Sequence, residues 1–183
     1  MRYRLRPLYN LGGYLSAACL CLICTLITAQ IVGRLLDRVA TQLGAGRIGL
    51  TIPGLAQISG YLLVGASFLG LAYTFVNGGH IRVTLLIGRL PAAIRVYFEV
   101  FCLSIAAALS LYLAWNLGWL LADSIAYGET SYGLVNIPLW IPQTAMLTGV
   151  VLLCLALIEA WLITLVTAVT RPRDFTIDDT GHS

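Results

Sequence analysis

From Leu11 to Val32 the chain carries no charged side chain, and from Leu55 to Val76 it carries none again. A helix needs about 20 consecutive apolar residues to cross the hydrocarbon core of a bilayer. Four stretches meet that length, at about residues 9–36, 55–76, 94–122 and 138–169. The last two exceed a straight crossing, so tilt or extension beyond the membrane is expected. Backbone N–H and C=O groups in lipid must be paired within a helix or within a closed barrel. Barrel strands alternate apolar and polar residues over about ten positions. These runs are continuous, so they predict helices.

Composition supports the same reading. Of 183 residues, 59% are hydrophobic and only 10% charged, and the mean hydropathy is +0.88. A soluble domain carries about 25% charged residues, so lipid must solvate much of this surface. The expected fold is all-α: an integral membrane four-helix bundle forming a single domain over residues 1–170, with a polar tail at 171–183.

The basic residues, eleven in number, are all Arg, and the net charge is +3. They flank the apolar runs, as charges at membrane boundaries do, and give no reason to invoke nucleic acid. Arg2, Arg4 and Arg6 precede the first run, Arg82, Arg89 and Arg95 separate the second from the third, and Arg171 and Arg173 follow the fourth. With four crossings all three groups share one side, which the excess of Arg makes the cytoplasm. Both termini are then cytoplasmic. Asp123 and Glu129 mark the loop between spans three and four as external, although Arg34, Arg38 and Arg47 outnumber Asp37 in the first external segment. The Arg-rich start could open a signal peptide, and Ser16-Ala17-Ala18-Cys19 resembles a lipoprotein cleavage site. The apolar run continues well past Cys19, so an uncleaved first span is expected.

The connection from Gly78 to Ala93 is not a plain hydrophilic loop. Arg82 and Arg89 are seven residues apart and share a helix face among mostly apolar neighbours. This predicts a short interfacial helix between spans two and three. Its Arg side chains would reach the headgroups, and Pro91 would end it.

Few residues suggest chemistry. Cys21-Leu22-Ile23-Cys24 is a CxxC that a thiol-redox membrane enzyme could use. It lies near the middle of span one, and no external loop holds a second Cys pair. All five cysteines lie within apolar runs, so packing as small hydrophobes is the preferred reading. His80 and His182 lie outside the spans, whereas a haem-carrying bundle needs axial ligands within it. No cofactor or metal is expected, and nothing points to an enzyme. Glu99 and Glu159 lie on spans, where ionisable residues are functional candidates by default. An inter-helix or inter-subunit hydrogen bond is preferred for them over ion coupling, with a self-sufficient ion-coupled transporter as the alternative. Ala66-x-x-x-Gly70 and Ser104-x-x-x-Ala108 permit close helix packing.

The order of segments carries a resemblance. Ala29-Gln30-Ile31-Val32-Gly33-Arg34 closes the first span, and the second leads into His80-Ile81-Arg82-Val83 and Leu90-Pro91. Gly128-Glu129-x-Ser131 and Ile137-Pro138-x-Trp140 then stand between the third and fourth. Over about residues 10–170 the chain resembles the small membrane subunit (DctQ-type) of tripartite ATP-independent periplasmic (TRAP) transporters. Thr84 stands where family members often have Asp, and Pro53-Gly54-Leu55-Ala56-Gln57 lacks the acidic residues that often enter span two. The resemblance implies a bacterial inner-membrane system in which a periplasmic solute-binding protein captures a solute, often an organic acid. A large membrane subunit then moves it with an ion gradient, usually sodium. The small subunit would be a non-catalytic scaffold. Gly79, His80, Arg82, Glu129, Ser131, Pro138 and Trp140 are the candidates for contact with the large subunit. Arg34, Arg38, Arg82 and Arg89 are candidates for membrane-lipid headgroups. The end of the chain at Ser183 favours a separate large subunit over a fused one.

Overall fold

The computed structural model describes residues 5–43, 49, 52–77 and 92–170. They form four helices: α1 (Arg6–Gln42), α2 (Leu55–Val76), α3 (Ala92–Ala126) and α4 (Trp140–Thr170). Each is long and apolar enough to cross a membrane. No strand occurs among the described residues, only an isolated antiparallel bridge between Thr130 and Pro138. The molecule is an all-α membrane bundle. The interfacial helix expected between spans two and three lies outside the described residues, as do Gly79, His80, Arg82 and Arg89.

The helices stand in a row, in the order α1, α2, α4, α3. Extended contacts join α1 to α2, α2 to α4, and α4 to α3, with a smaller contact between α1 and α4. α4 is the most enclosed and α1 the least. Short connections make sequence neighbours antiparallel, so α2 and α4 run the same way through the row.

Small residues set the spacing. Ser16 donates a 2.6 Å hydrogen bond to the Ala66 carbonyl, and a Cβ on Gly70 would stand 3.0 Å from the Ser16 hydroxyl. The Ala66–Gly70 pair therefore faces α1. Where α2 meets α4, the Phe68 carbonyl fills the place that a Cβ on Gly149 would take. Ser104 faces α4, accepting a 2.8 Å bond from the Trp161 indole N–H, but Ala108 points outward. That second small-residue pair does not act as one surface.

Six hydroxyls within the spans are satisfied locally. Thr25, Thr28, Ser67, Thr74, Thr148 and Thr164 each donate to the carbonyl four residues earlier. This removes the penalty of a bare donor in lipid. Two small apolar clusters complete the interior. Tyr9, Ala72 and Ala156 are fully buried against Phe75, Val76 and Leu152. Leu117, Val150 and Cys154 pack with Phe68, Ala114, Met146 and Leu147.

The cysteines correct one expectation. Only Cys154 is buried; Cys21, Cys24 and Cys102 are exposed and Cys19 is intermediate. α1 has one extended neighbour, so most of its circumference faces outward, and Cys21 and Cys24 lie on that outward part rather than in a core.

Gly149→Ala forces α2 and α4 apart, because the atom in the way is backbone and cannot rotate aside. Overpacking of this kind costs about 1–3 kcal/mol. Gly60→Ala, where nothing lies within 4 Å, is expected to be neutral or stabilising by up to about 1 kcal/mol. Thermal unfolding of the detergent-solubilised protein checks the contrast: the midpoint falls for Gly149→Ala and holds or rises for Gly60→Ala.

Candidate functional site

Polar side chains gather at the two ends of the row. At the end where α3 turns into α4, the chain reverses through Gly128, which has a φ of 60°. Backbone bonds then zip the hairpin: Ser131 N–H to the Ile137 carbonyl at 2.9 Å and Leu139 N–H to the Glu129 carbonyl at 3.0 Å. A fully buried Ser124 donates to the Glu129 carboxylate at 2.7 Å. Gln143, from the first turns of α4, donates its amide N–H to the Ser124 hydroxyl at 2.8 Å.

A clasp from α2 reaches across this hairpin. Gln57 Nε2 donates to the Ser131 hydroxyl and to the Val135 carbonyl, each at 2.8 Å. Its amide lies directly over Gly133, leaving no room for a side chain there. Gly54 starts α2 with a φ of 71°, a conformation that suits glycine, and a Cβ there would press on Val135 at 2.7 Å. The start of α2 and the α3–α4 hairpin therefore form one rigid unit.

At the opposite end, Tyr9 donates a 3.0 Å hydrogen bond to the Glu159 carboxylate. Tyr9 is fully buried, and the bond ties α1 directly to α4. Glu99 is half-buried on α3.

The structure thus brings Glu129, Ser131 and Pro138 into one hairpin, with Trp140 starting α4 beside it and half-exposed. Arg34 and Arg38 lie elsewhere, exposed on α1. The helix continues past them to Gln42, so they stand on its final turns. With Ile31, Leu35, Asp37, Thr41 and Gln42 they line an open groove of about 790 Å³. The sequence reading did not single out Gln57, Ser124, Gln143 or Tyr9. A signal was present in each: an amide, a hydroxyl or a phenol stands at the edge of an apolar run, where a polar group must find a partner.

The sequence pattern of the DctQ component of tripartite ATP-independent periplasmic transporters matches residues 23–167. The chain belongs to the DctQ family. It is accordingly a small, multi-pass membrane component of a TRAP transporter. DctQ membership implies association with a large membrane subunit and a solute-binding protein. No curated protein and no solved structure matches the chain. The hairpin and its clasp lie within the matched residues, as do Glu99 and Glu159; Tyr9 lies before them.

Gln57→Ala removes two short hydrogen bonds to the hairpin, each contributing about 1 kcal/mol, and the longer one from the Val135 N–H at 3.5 Å. The Ser131 and Leu139 amides are then expected to exchange their hydrogens roughly thirtyfold faster, because the hairpin opens more often. Hydrogen exchange of the purified protein followed by mass spectrometry checks this, with amides in the middle of α4 as the unchanged reference.

Proposed function

We propose that this DctQ chain is a non-catalytic scaffold that braces the large subunit of a TRAP importer. One observation carries the reading. The polar side chains that the structure brings together are engaged in tying the chain's own elements to one another. Gln57, Ser124, Glu129 and Gln143 fasten the hairpin, and Tyr9 engages Glu159. That use of polar groups suits a brace better than a transport path, which needs polar groups facing a cavity.

The remaining parts follow from this reading. Both termini lie in the cytoplasm, and the clasped hairpin faces the periplasm, on the side of the solute-binding protein. Glu129, Ser131, Pro138 and Trp140 contribute shape there, while Gly79, His80 and Arg82 contribute on the cytoplasmic side. Arg34 and Arg38 offer guanidinium donors to lipid phosphate in the groove on α1, and Arg89 joins Arg82 at the headgroups. Family resemblance implies an imported solute that is often an organic acid and a driving ion gradient that is usually sodium.

Co-purification tests the scaffold. The tagged chain, extracted in mild detergent from its native cells, should bring down a much larger polytopic protein in near-stoichiometric amount. A homodimer without that partner contradicts the reading. Solute uptake by the reconstituted system separates the rival activities. Glu159→Gln keeps an acceptor for the Tyr9 hydroxyl and should leave uptake within about twofold of wild type. An ion-coupled transporter built on Glu159 would lose it. Replacing Cys21 and Cys24 together by Ser should likewise leave uptake intact, whereas a thiol-redox enzyme would be abolished.

A further inference from the structure

The row leaves two flanks, and they are chemically different. On α1 the outward surface is mostly aliphatic, with Leu11, Leu15, Leu22, Ile27 and Ile31 exposed. The hydroxyls of Thr25 and Thr28 on this helix are bonded back to its own carbonyls. Lipid solvates such a surface without penalty.

The outward surface of α3 carries an aromatic stripe among aliphatic side chains. Phe98, Phe101, Ile105, Tyr112, Trp115 and Trp119 are all exposed. They recur at the alternating three- and four-residue spacing of a helix–helix seam, with one step passing through Ala108. The side that α3 already uses against α4, through Ala114 and Leu117 with Ser110 buried one turn before them, has the same spacing. It lies two residues away in register, which is the opposite side of a helix. α3 therefore carries two antipodal packing seams, of which α4 covers one.

Depth adds the second argument. Tyr112 stands at the middle of the apolar span Tyr97–Ala126 and is 70% exposed. The Tyr112 hydroxyl and the Trp115 and Trp119 indole N–H groups meet no acceptor among the described residues. Tyr and Trp favour the headgroup level because lipid tails offer no acceptor for their polar hydrogens. Three such groups from the midplane outward call for a protein surface that supplies acceptors. The stripe is also partly preset, since the Trp115 and Trp119 rings already meet edge to face with centroids 6.2 Å apart.

We infer that the aromatic face of α3 is the surface that docks the large membrane subunit, through a transmembrane helix bearing small residues and hydrogen-bond acceptors. This rests on the scaffold reading above. DctQ is one component of a multi-component transporter, and a face at membrane depth can be covered only by another membrane-embedded component. α1 is then the lipid-facing flank.

The experiment uses the assembled transporter in native membranes. A photoreactive benzophenone side chain replaces Tyr112 on α3 in one protein and Leu22 on α1 in another. After illumination, the Tyr112 position should yield a covalent product with the large subunit, and the Leu22 position should not. A Tyr112 product with a second copy of this chain, or with lipid alone, overturns the inference, as does a large-subunit product from Leu22 alone. As a second measurement, Tyr112, Trp115 and Trp119 are changed together to Leu, which keeps the surface apolar and the interior untouched. Recovery of the large subunit with the tagged chain should fall at least fivefold, against no change for Leu15→Ala with Leu22→Ala on α1. Unchanged recovery in the α3 variant overturns the inference. Failure of the scaffold reading shows separately: there the wild-type chain recovers no large subunit at all.

Discussion

The contact between Phe68 and Gly149 joins two antiparallel helix pairs into one molecule. α1 packs on α2 and α3 packs on α4, and the seam between α2 and α4 is the extended surface that unites them. Water drives no helices together inside a bilayer, since lipid tails are as apolar as leucine. Close packing and hydrogen bonds must do that work, and both need backbones that approach closely. The backbone carbonyl of Phe68 fits against α4 only because Gly149 has no side chain. The hairpin clasp and the Tyr9–Glu159 bond then fix the two ends of a row whose middle is set by that approach.

Much of this was legible in the sequence, and the reason is the lipid itself. A solvent that cannot pair with the backbone leaves helix as the one conformation for a continuous apolar run, so fold class follows from run length. Neighbours are another matter. In a soluble helix the apolar stripe points at the core; here every face is apolar, and hydropathy does not distinguish Cys154, which is buried, from Cys21, which is not. The Ala66–Gly70 spacing did mark a packing face, whereas Ser104 and Ala108 look the same on paper and point different ways. The segment Pro53–Gln57 read as a departure from its relatives, lacking an acid. In the structure Gln57 hydrogen-bonds there to Ser131 and Val135, a role that depends on a loop 74 residues further on.

The hydrogen bonds of the candidate site fasten the chain's own elements to one another. Glu129 and Ser131 were singled out by the pattern they share with a family, and the structure gives them physical partners in Ser124 and Gln57. Arg34 and Arg38 stand apart from that cluster, on a helix that outruns its apolar segment. The same chain therefore separates three kinds of surface along its length: a clasped hairpin, an aliphatic flank and an aromatic flank.

The order of the row differs from the order of synthesis. α4 is the last of the four described helices to leave the ribosome, yet it is the one that touches the other three. Until it arrives, α3 lacks the one described helix with which it makes extended contact, and the pair α1–α2 lacks the seam that joins it to the rest. A nascent chain that stops before Trp140 therefore keeps the α1–α2 hairpin and an α3 without its extended partner. Assembly within the membrane is held back until the final segment is made, whatever the speed of the earlier ones.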